Sequence, residues 1–357
     1  MPRLNKSLGR LLARALTGAW RTGQQPPFEL SAAELEQVIP LLMASGGAAL
    51  GWQRLRDSEL RNSPSGELLQ QAYRLQSLQS EIQAQSIQKL FRLLRQASIE
   101  AVLAKGWAAA NLYGDRTLRP FGDIDICVRA RDHGRLNDVL STDEAKGCWV
   151  DLHSNFSEIG NRSVEELFSR SKLLSIGDEP VRVLGDEDHL ALLCIHFLKH
   201  GAWRPLWLCD VAAAIESAPS SFDWQLCLGT DRTRASWIKT TFSLAQKLLG
   251  GSLDRLPSEL RAVPVPQWLV DTIHKQWSHP FAAYQAPMNH PVPVSEIWRK
   301  PGSWPDGLRQ RWPNPILATI SVHGKLNNVP RLPYQIANCV SRVVRLIIPT
   351  GNEMQEH

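Results

Sequence analysis

Asp123 and Asp125 flank Ile124 in a run that is otherwise strand-like, with Ile126, Cys127 and Val128 following. Side chains alternate between the faces of an extended chain, so both carboxylates share one face of that strand. Two like charges side by side repel, and the pair costs stability unless a cation sits between them. A hard divalent ion that prefers oxygen, Mg²⁺ above all, fits best. A third carboxylate, Asp151, heads another short apolar run with Trp149, Val150 and Leu152. Paired beside the first strand, that run brings Asp151 to the same metal. Three carboxylates can hold two Mg²⁺ ions, one lowering the pKa of an attacking hydroxyl and the other neutralising the leaving phosphate oxygens, the usual solution for phosphoryl and nucleotidyl transfer.

Two further groups fit phosphate chemistry. Ile99 to Ala104 is apolar and runs into Lys105-Gly106 and a helix-like stretch, Trp107 to Tyr113. A strand, tight turn and helix start aims backbone N–H groups at an anion; Gly106 permits close approach and Lys105 adds a point charge. Downstream, His189, His196 and His200 fall near one helical face with Lys199 beside them. Three readings of that face stand: it lines a nucleotide cleft, its histidines are satisfied core residues, or His196 and His200 bind zinc. The zinc reading lacks the glutamate that follows the first histidine of a metalloprotease, because Phe197 is there. Asp210, in the apolar run Trp207-Leu208-Cys209-Asp210-Val211, needs a partner if buried and is given a structural role.

These stretches stand in the order Leu103-Ala104-Lys105-Gly106, then Leu118-Arg119-Pro120-Phe121-Gly122-Asp123-Ile124-Asp125-Ile126, Asp151-Leu152-His153 and His196-Phe197-Leu198-Lys199-His200. The set resembles a bacterial family of uncharacterised nucleotidyltransferases within the DNA polymerase β superfamily, over roughly residues 35 to 260. The resemblance implies an α+β fold: a small mixed-sheet, polymerase β-like core with N-terminal helices and a C-terminal helical domain. It implies an enzyme that moves an NMP group from an NTP, ATP among them, to a hydroxyl acceptor on a small molecule, saccharide or peptide, releasing pyrophosphate. Asp123, Asp125 and Asp151 then serve as catalytic and metal-binding residues, with two Mg²⁺ ions expected. Lys105, Gly106, Arg119, His196, Lys199 and His200 hold the nucleotide. The wider superfamily has Gly-Ser in the turn where this chain has Gly106-Trp107, and Lys105 is the substitute phosphate contact. The alternative reading is a non-catalytic nucleotide-binding scaffold subunit of a biosynthetic pathway.

The elements that must position these residues divide the chain into a basic segment and linker (1–30), a helical region (31–97), the catalytic core (98–185), a helical domain (186–260) and a proline-rich extension ending in a helix (261–357). Lys6, Arg10, Arg14 and Arg21 among Leu8, Leu11, Leu12, Ala15 and Leu16 make a basic amphipathic start. It reads as a loosely attached helix or as a peripheral contact to an anionic membrane surface or partner. Ser31 and Glu34 form a capping-box signature. A long helix is expected over Glu67–Ala97, laying Leu68, Leu75, Leu78, Ile82, Ile87, Leu90 and Leu94 on the sheet. Helices follow near 132–140 and 164–171, a last strand at Val181–Leu184, and helix from Asp186 to Ile215 and from Phe222 to Leu249. The prolines beyond Gly250 point to extended wrapping, and Tyr334–Ile348 to a packed terminal helix, with a membrane anchor as the other reading.

A net charge of +5 suits a phosphate-bearing substrate and is too small and dispersed for long polynucleotide contacts. Cys127, Cys148, Cys194, Cys209, Cys227 and Cys339 are scattered without a Cys-x-x-Cys pair, reading as reduced thiols of a cytoplasmic protein. No apolar run is long enough to span a bilayer, and the N-terminus lacks a signal-peptide core.

Overall fold

The computed structural model of the chain describes residues 6–23, 25–261, 263–280 and 312–347. Five short runs rich in apolar residues pair as β1 (Ala101–Leu103), β2 (Ile124–Val128), β3 (Val150–His153), β4 (Lys172–Ile176) and β5 (Glu179–Val183), in the order β3-β2-β1-β5-β4. β1 runs antiparallel to β2 and parallel to β5, β2 is parallel to β3, and β4 is antiparallel to β5. β1 and β2 are buried throughout, while the edge strands β3 and β4 keep polar and exposed positions. This mixed sheet amid helices is the expected α+β architecture.

The helices are α1 (Lys6–Leu16), α2 (Ala32–Ser45), α3 (Ala48–Leu55), α4 (Pro64–Gln96), α5 (Gly106–Ala110), α6 (His133–Leu140), α7 (Val164–Arg170), α8 (Asp186–Lys199), α9 (Pro205–Ser217), α10 (Trp224–Leu228), α11 (Arg232–Leu249), α12 (Ser258–Arg261), α13 (Gln267–Trp277), α14 (Pro315–Ser321) and α15 (Leu332–Ile347). Two apolar cores hold them. In one, Ile87, Leu90, Phe91 and Leu94 of α4 pack on Leu103, Ile124, Ile126 and Val183 of the sheet. The other unites α1, α2 and α3 with α8, α9, α11 and α13, so the N-terminal helices share a core with those after residue 185.

Several expectations are corrected by packing. Only the C-terminal half of the α4 stripe meets the sheet; Leu68, Leu75, Leu78 and Ile82 are 49–66% exposed, and the buried face there carries Leu69, Gln76 and Ser80. Gln76 is satisfied by donating to the Thr117 carbonyl. The amphipathic α1 is not loosely attached: Leu12, Ala15 and Leu16 are fully buried, and Arg14 pairs with Glu34 at 3.1 Å. Gly9 lets α1 cross α13 closely, since a Cβ there would sit 2.0 Å from the His274 carbonyl oxygen. With its apolar face in the core, α1 has none left for a membrane.

β4 is absent from the sequence reading, although a signal existed. Gly177-Asp178 is a two-residue hairpin loop between Ile176 and Glu179, with Gly177 at φ +56°. The expected helix from Asp186 to Ile215 is two, broken by Gly201 at φ +70° and restarted with Pro205 in its first turn. The Ser31 capping box forms as expected. The proline-rich stretch 281–311 and Ile348 lie outside the described residues.

Candidate functional site

The parallel pairing of β2 with β3 sets Asp125 opposite Asp151 and Cys127 opposite His153. Period-2 alternation then puts Asp125, Asp151 and His153 on one face. His153 Nε2 lies 2.9 Å from Asp125 Oδ1 and 3.3 Å from Asp151 Oδ2. Lys105 Nζ, from the turn after β1, lies 2.8 Å from the same Asp125 oxygen. Asp125 is 4% exposed, so its charge is held in a dry setting by these two partners. Asp123 stands just ahead of β2 and lines the same cleft, outside the close group that the other two acids form with His153.

The electrostatics follow from these distances. Burial alone would lower the His153 pKa, but hydrogen bonds with Asp125 and Asp151 outweigh it and raise it to about 9. The same bond, with the imidazolium charge, holds Asp151 below the usual carboxylate range. Burial opposes the Lys105 charge, yet Asp125 prevails and raises its pKa. Partial desolvation and the neighbouring Asp125 push Asp123 up. The chain's own Lys105 and His153 thus compensate Asp125 and Asp151, while the repulsion between Asp123 and Asp125 persists in the raised Asp123 pKa.

One carboxylate oxygen each from Asp125 and Asp151 and one nitrogen of His153 lie within 4.8 Å of one another. Two anionic oxygens and an imidazole nitrogen so close are a donor set that fits a divalent cation once His153 releases its proton and Lys105 its oxygen. His153 stood in the sequence motif but was assigned no role; its two-residue spacing from Asp151 was the available signal.

Lys105 has φ +50° and ψ −136°, a conformation rarely adopted by a side-chain-bearing residue, and Gly106 follows at φ +23°. The turn is held by the Ala109 N–H donating to the Lys105 carbonyl at 2.7 Å. The helix it opens, α5, has only five residues.

These groups open into a cleft of about 670 Å³ whose far wall includes His196, Lys199, His200, Arg204 and Trp207. The His196 and His200 rings are 4.4 Å apart, and Trp207 stands 4.6 Å from His196 and 5.2 Å from His200. Burial, then the charges of its neighbours, holds His196 well below the usual imidazole range. Desolvation and Lys199 bring the more exposed His200 down to about 4. Both rings are neutral at neutral pH and offer stacking surface rather than charge. His196 and His200 gather no third His, Cys, Asp or Glu ligand among the described residues, which removes the support for the zinc reading. His189 is not part of the cleft lining: seven residues along α8 displace it by about 10 Å, and it is 6% exposed with Nε2 lacking a hydrogen-bond partner.

Lys199 bonds Glu158 at 3.2 Å and Ser157 Oγ at 3.4 Å. Burial would raise the Glu158 pKa, but Lys199 and Lys105 outweigh it and lower it. Arg204 donates Nε to the Ser45 carbonyl at 2.9 Å; burial and nearby Arg119 push its pKa down to about 10, an environment that an anion would relieve. Sequence reading missed Glu158 and Arg204, because nothing local to either marks it as facing the acids.

Arg119 reaches the cleft wall with its guanidinium already engaged. Nε and Nη2 bond Asp210 at 3.2 and 2.8 Å, and Nη1 donates to the Pro120 carbonyl at 2.9 Å. Tyr113 donates its hydroxyl to Asp210 at 2.7 Å. Asp210 is fully buried and Arg119 5% exposed. This network ties the Arg-Pro turn before β2 to α9 and engages the guanidinium that the sequence motif offers to a triphosphate.

A small mixed sheet with two acids in register on adjacent parallel strands, facing a helical wall that carries lysine and imidazole, accords with a polymerase β-like nucleotidyltransferase core. The chain belongs to the family described as uncharacterised nucleotidyltransferases, whose model matches residues 31–245. No curated protein and no solved structure matches it.

Proposed function

We propose that this chain transfers an NMP group from an NTP to a hydroxyl of a small molecule, saccharide or peptide. The acceptor oxygen bonds to the α-phosphorus as the bond to the β-phosphate oxygen breaks, and pyrophosphate leaves with that electron pair. Asp123, Asp125 and Asp151, joined by His153, would hold divalent ions, Mg²⁺ first, which supply neutralisation of the leaving phosphates and activation of the hydroxyl. Asp151, half-exposed at the cleft, accepts the hydroxyl proton. Lys105, the Gly106 backbone and Lys199 face the phosphates, and Arg204 joins them. The neutral rings of His196, His200 and Trp207 offer the base a stacking wall. Positioning and charge compensation supply the catalysis.

The observation that carries this reading is the pairing of Asp125 with Asp151 beside His153, at the cleft that Lys105 and Lys199 line. The test is titration of each NTP with Mg²⁺ into wild-type protein and Asp123→Asn/Asp125→Asn. Mg²⁺-dependent binding lost in the variant is the expected result; absence of binding to either protein refutes the site. The scaffold reading draws on Lys105, which already neutralises Asp125. It predicts NTP binding without pyrophosphate release across hydroxyl acceptors. The free thiols, Cys127, Cys194, Cys209 and Cys227 among them buried, support a reducing, cytoplasmic setting. Among the described residues no helix is long and apolar enough to cross a membrane.

A further inference from the structure

An amphipathic helix on a water-facing surface turns its apolar stripe to the core. α15 does the reverse. Asn338 is 7% exposed and donates Nδ2 to Ser321 Oγ of α14 at 2.6 Å, and Gln335 Nε2 donates to the Pro313 carbonyl at 2.8 Å. The polar side of the helix therefore faces the protein. Leu332, Ile336, Val340 and Val344, spaced by four, are 55, 48, 56 and 47% exposed on the other side. Trp312, next to the Pro313 that Gln335 contacts, is 46% exposed, and Val329 is 48% exposed.

The charge of this end identifies what would cover it. Residues 307–352 contain Arg309, Arg311, Lys325, Arg331, Arg342 and Arg345 and no Asp or Glu. Lys325 is exposed, whereas Arg331 is buried on the Asn327 side chain and the Lys325 and Val329 carbonyls and contributes only at a distance. The chain has 40 basic and 35 acidic residues, so outside this stretch about 34 basic and 35 acidic residues nearly cancel, and the positive excess lies here. A second copy is a poor occupant. A ridge of four half-exposed aliphatic side chains falls short of the about 800 Å² per partner that a stable association buries. A lipid surface needs no shape match and gains from every nearby cation.

We propose that α15 lies on an anionic phospholipid surface, with Leu332, Ile336, Val340 and Val344 at the headgroup–acyl boundary. Its 16 residues lie along the membrane plane. The basic amphipathic α1 has its apolar face buried, so the contact expected from the N-terminus falls to the opposite end of the chain. The inference does not depend on the chemistry of the cleft.

The test uses the full chain and vesicles of phosphatidylcholine with or without phosphatidylglycerol, read by flotation at low and high salt. Wild-type protein is expected on the anionic vesicles at least about tenfold over the neutral ones, falling with salt. Ile336→Ser/Val340→Ser should reduce that partition by about tenfold or more. Both side chains are half-exposed, so the variant should keep the wild-type unfolding midpoint, and Asn338, left intact, holds the helix in place. Failure of the wild type to float, or flotation unchanged in a variant of unchanged midpoint, overturns the proposal. A wild-type dimer that the variant loses, with no flotation, would assign the face to a second copy and overturn it equally.

Discussion

Replacing Asp210 by asparagine should destabilise the protein without touching the acidic cluster. The substitution keeps the shape of the side chain but removes the only carboxylate shown bonding the Arg119 guanidinium, at 2.8 and 3.2 Å. Asp210 is fully buried and Arg119 nearly so, and water does not replace the lost charge. Breaking one partner of such a pair costs about 3–5 kcal/mol, because the remaining ion is left uncompensated in a dry setting. The Tyr113 hydroxyl keeps an acceptor in the amide oxygen, so its bond adds little to the loss. Against a total stability of about 5–15 kcal/mol, the change should lower the thermal midpoint on the order of 5–10 °C. Urea unfolding of wild type, Asp210→Asn and the double variant Arg119→Met/Asp210→Leu measures it, and the double variant should recover most of the loss, since no unpaired charge remains. A single variant within about 1 kcal/mol of wild type would refute the argument. If that variant also lost NTP affinity, Arg119 would return to the triphosphate role that the sequence motif implies.

Acid should weaken the fold through His189. Burial, acting against nearby Asp210 and Asp186, holds its pKa at about 4 instead of the ordinary 6.5. The unfolded chain therefore binds the extra proton between those values, and stability falls as pH drops from about 6.5 to about 4, by ~3 kcal/mol in total. His189→Leu should flatten that part of the pH–stability curve measured by urea unfolding, and an unchanged curve would contradict the assignment. At the α1–α13 crossing, Gly9→Val should cost at least about 1–3 kcal/mol, because its Cβ meets backbone and not a movable side chain. A thermal midpoint equal to wild type would show that the crossing is looser than 2.0 Å implies.

Local pattern made much of this protein legible. The runs at Ile124–Val128 and Val150–His153 are strands, and the helix start capped by Ser31 falls where expected. The adjacency of Asp125 and Asp151 was also readable, because each heads or interrupts an apolar run in a chain of short strands. These features depend on periodicity of two or 3.6 and on caps, which neighbouring residues set among themselves.

What local pattern does not contain is the partner. Arg119 reads as a phosphate ligand beside the acids, and only the packing of α9 brings Asp210, 91 positions away, to claim its guanidinium. The stripe on α4 looks continuous, but its buried contact with the sheet core runs only from Ile87 to Leu94, and Leu75 and Ile82 stay in water. α1 and α15 have similar amphipathic sequences with opposite fates, one burying its apolar face and the other its polar face. The sequence by itself determined which residues could do chemistry and which local elements carry them. Tertiary structure alone decided which charges meet, since burial and ion pairing depend on distances between segments that no local pattern encodes.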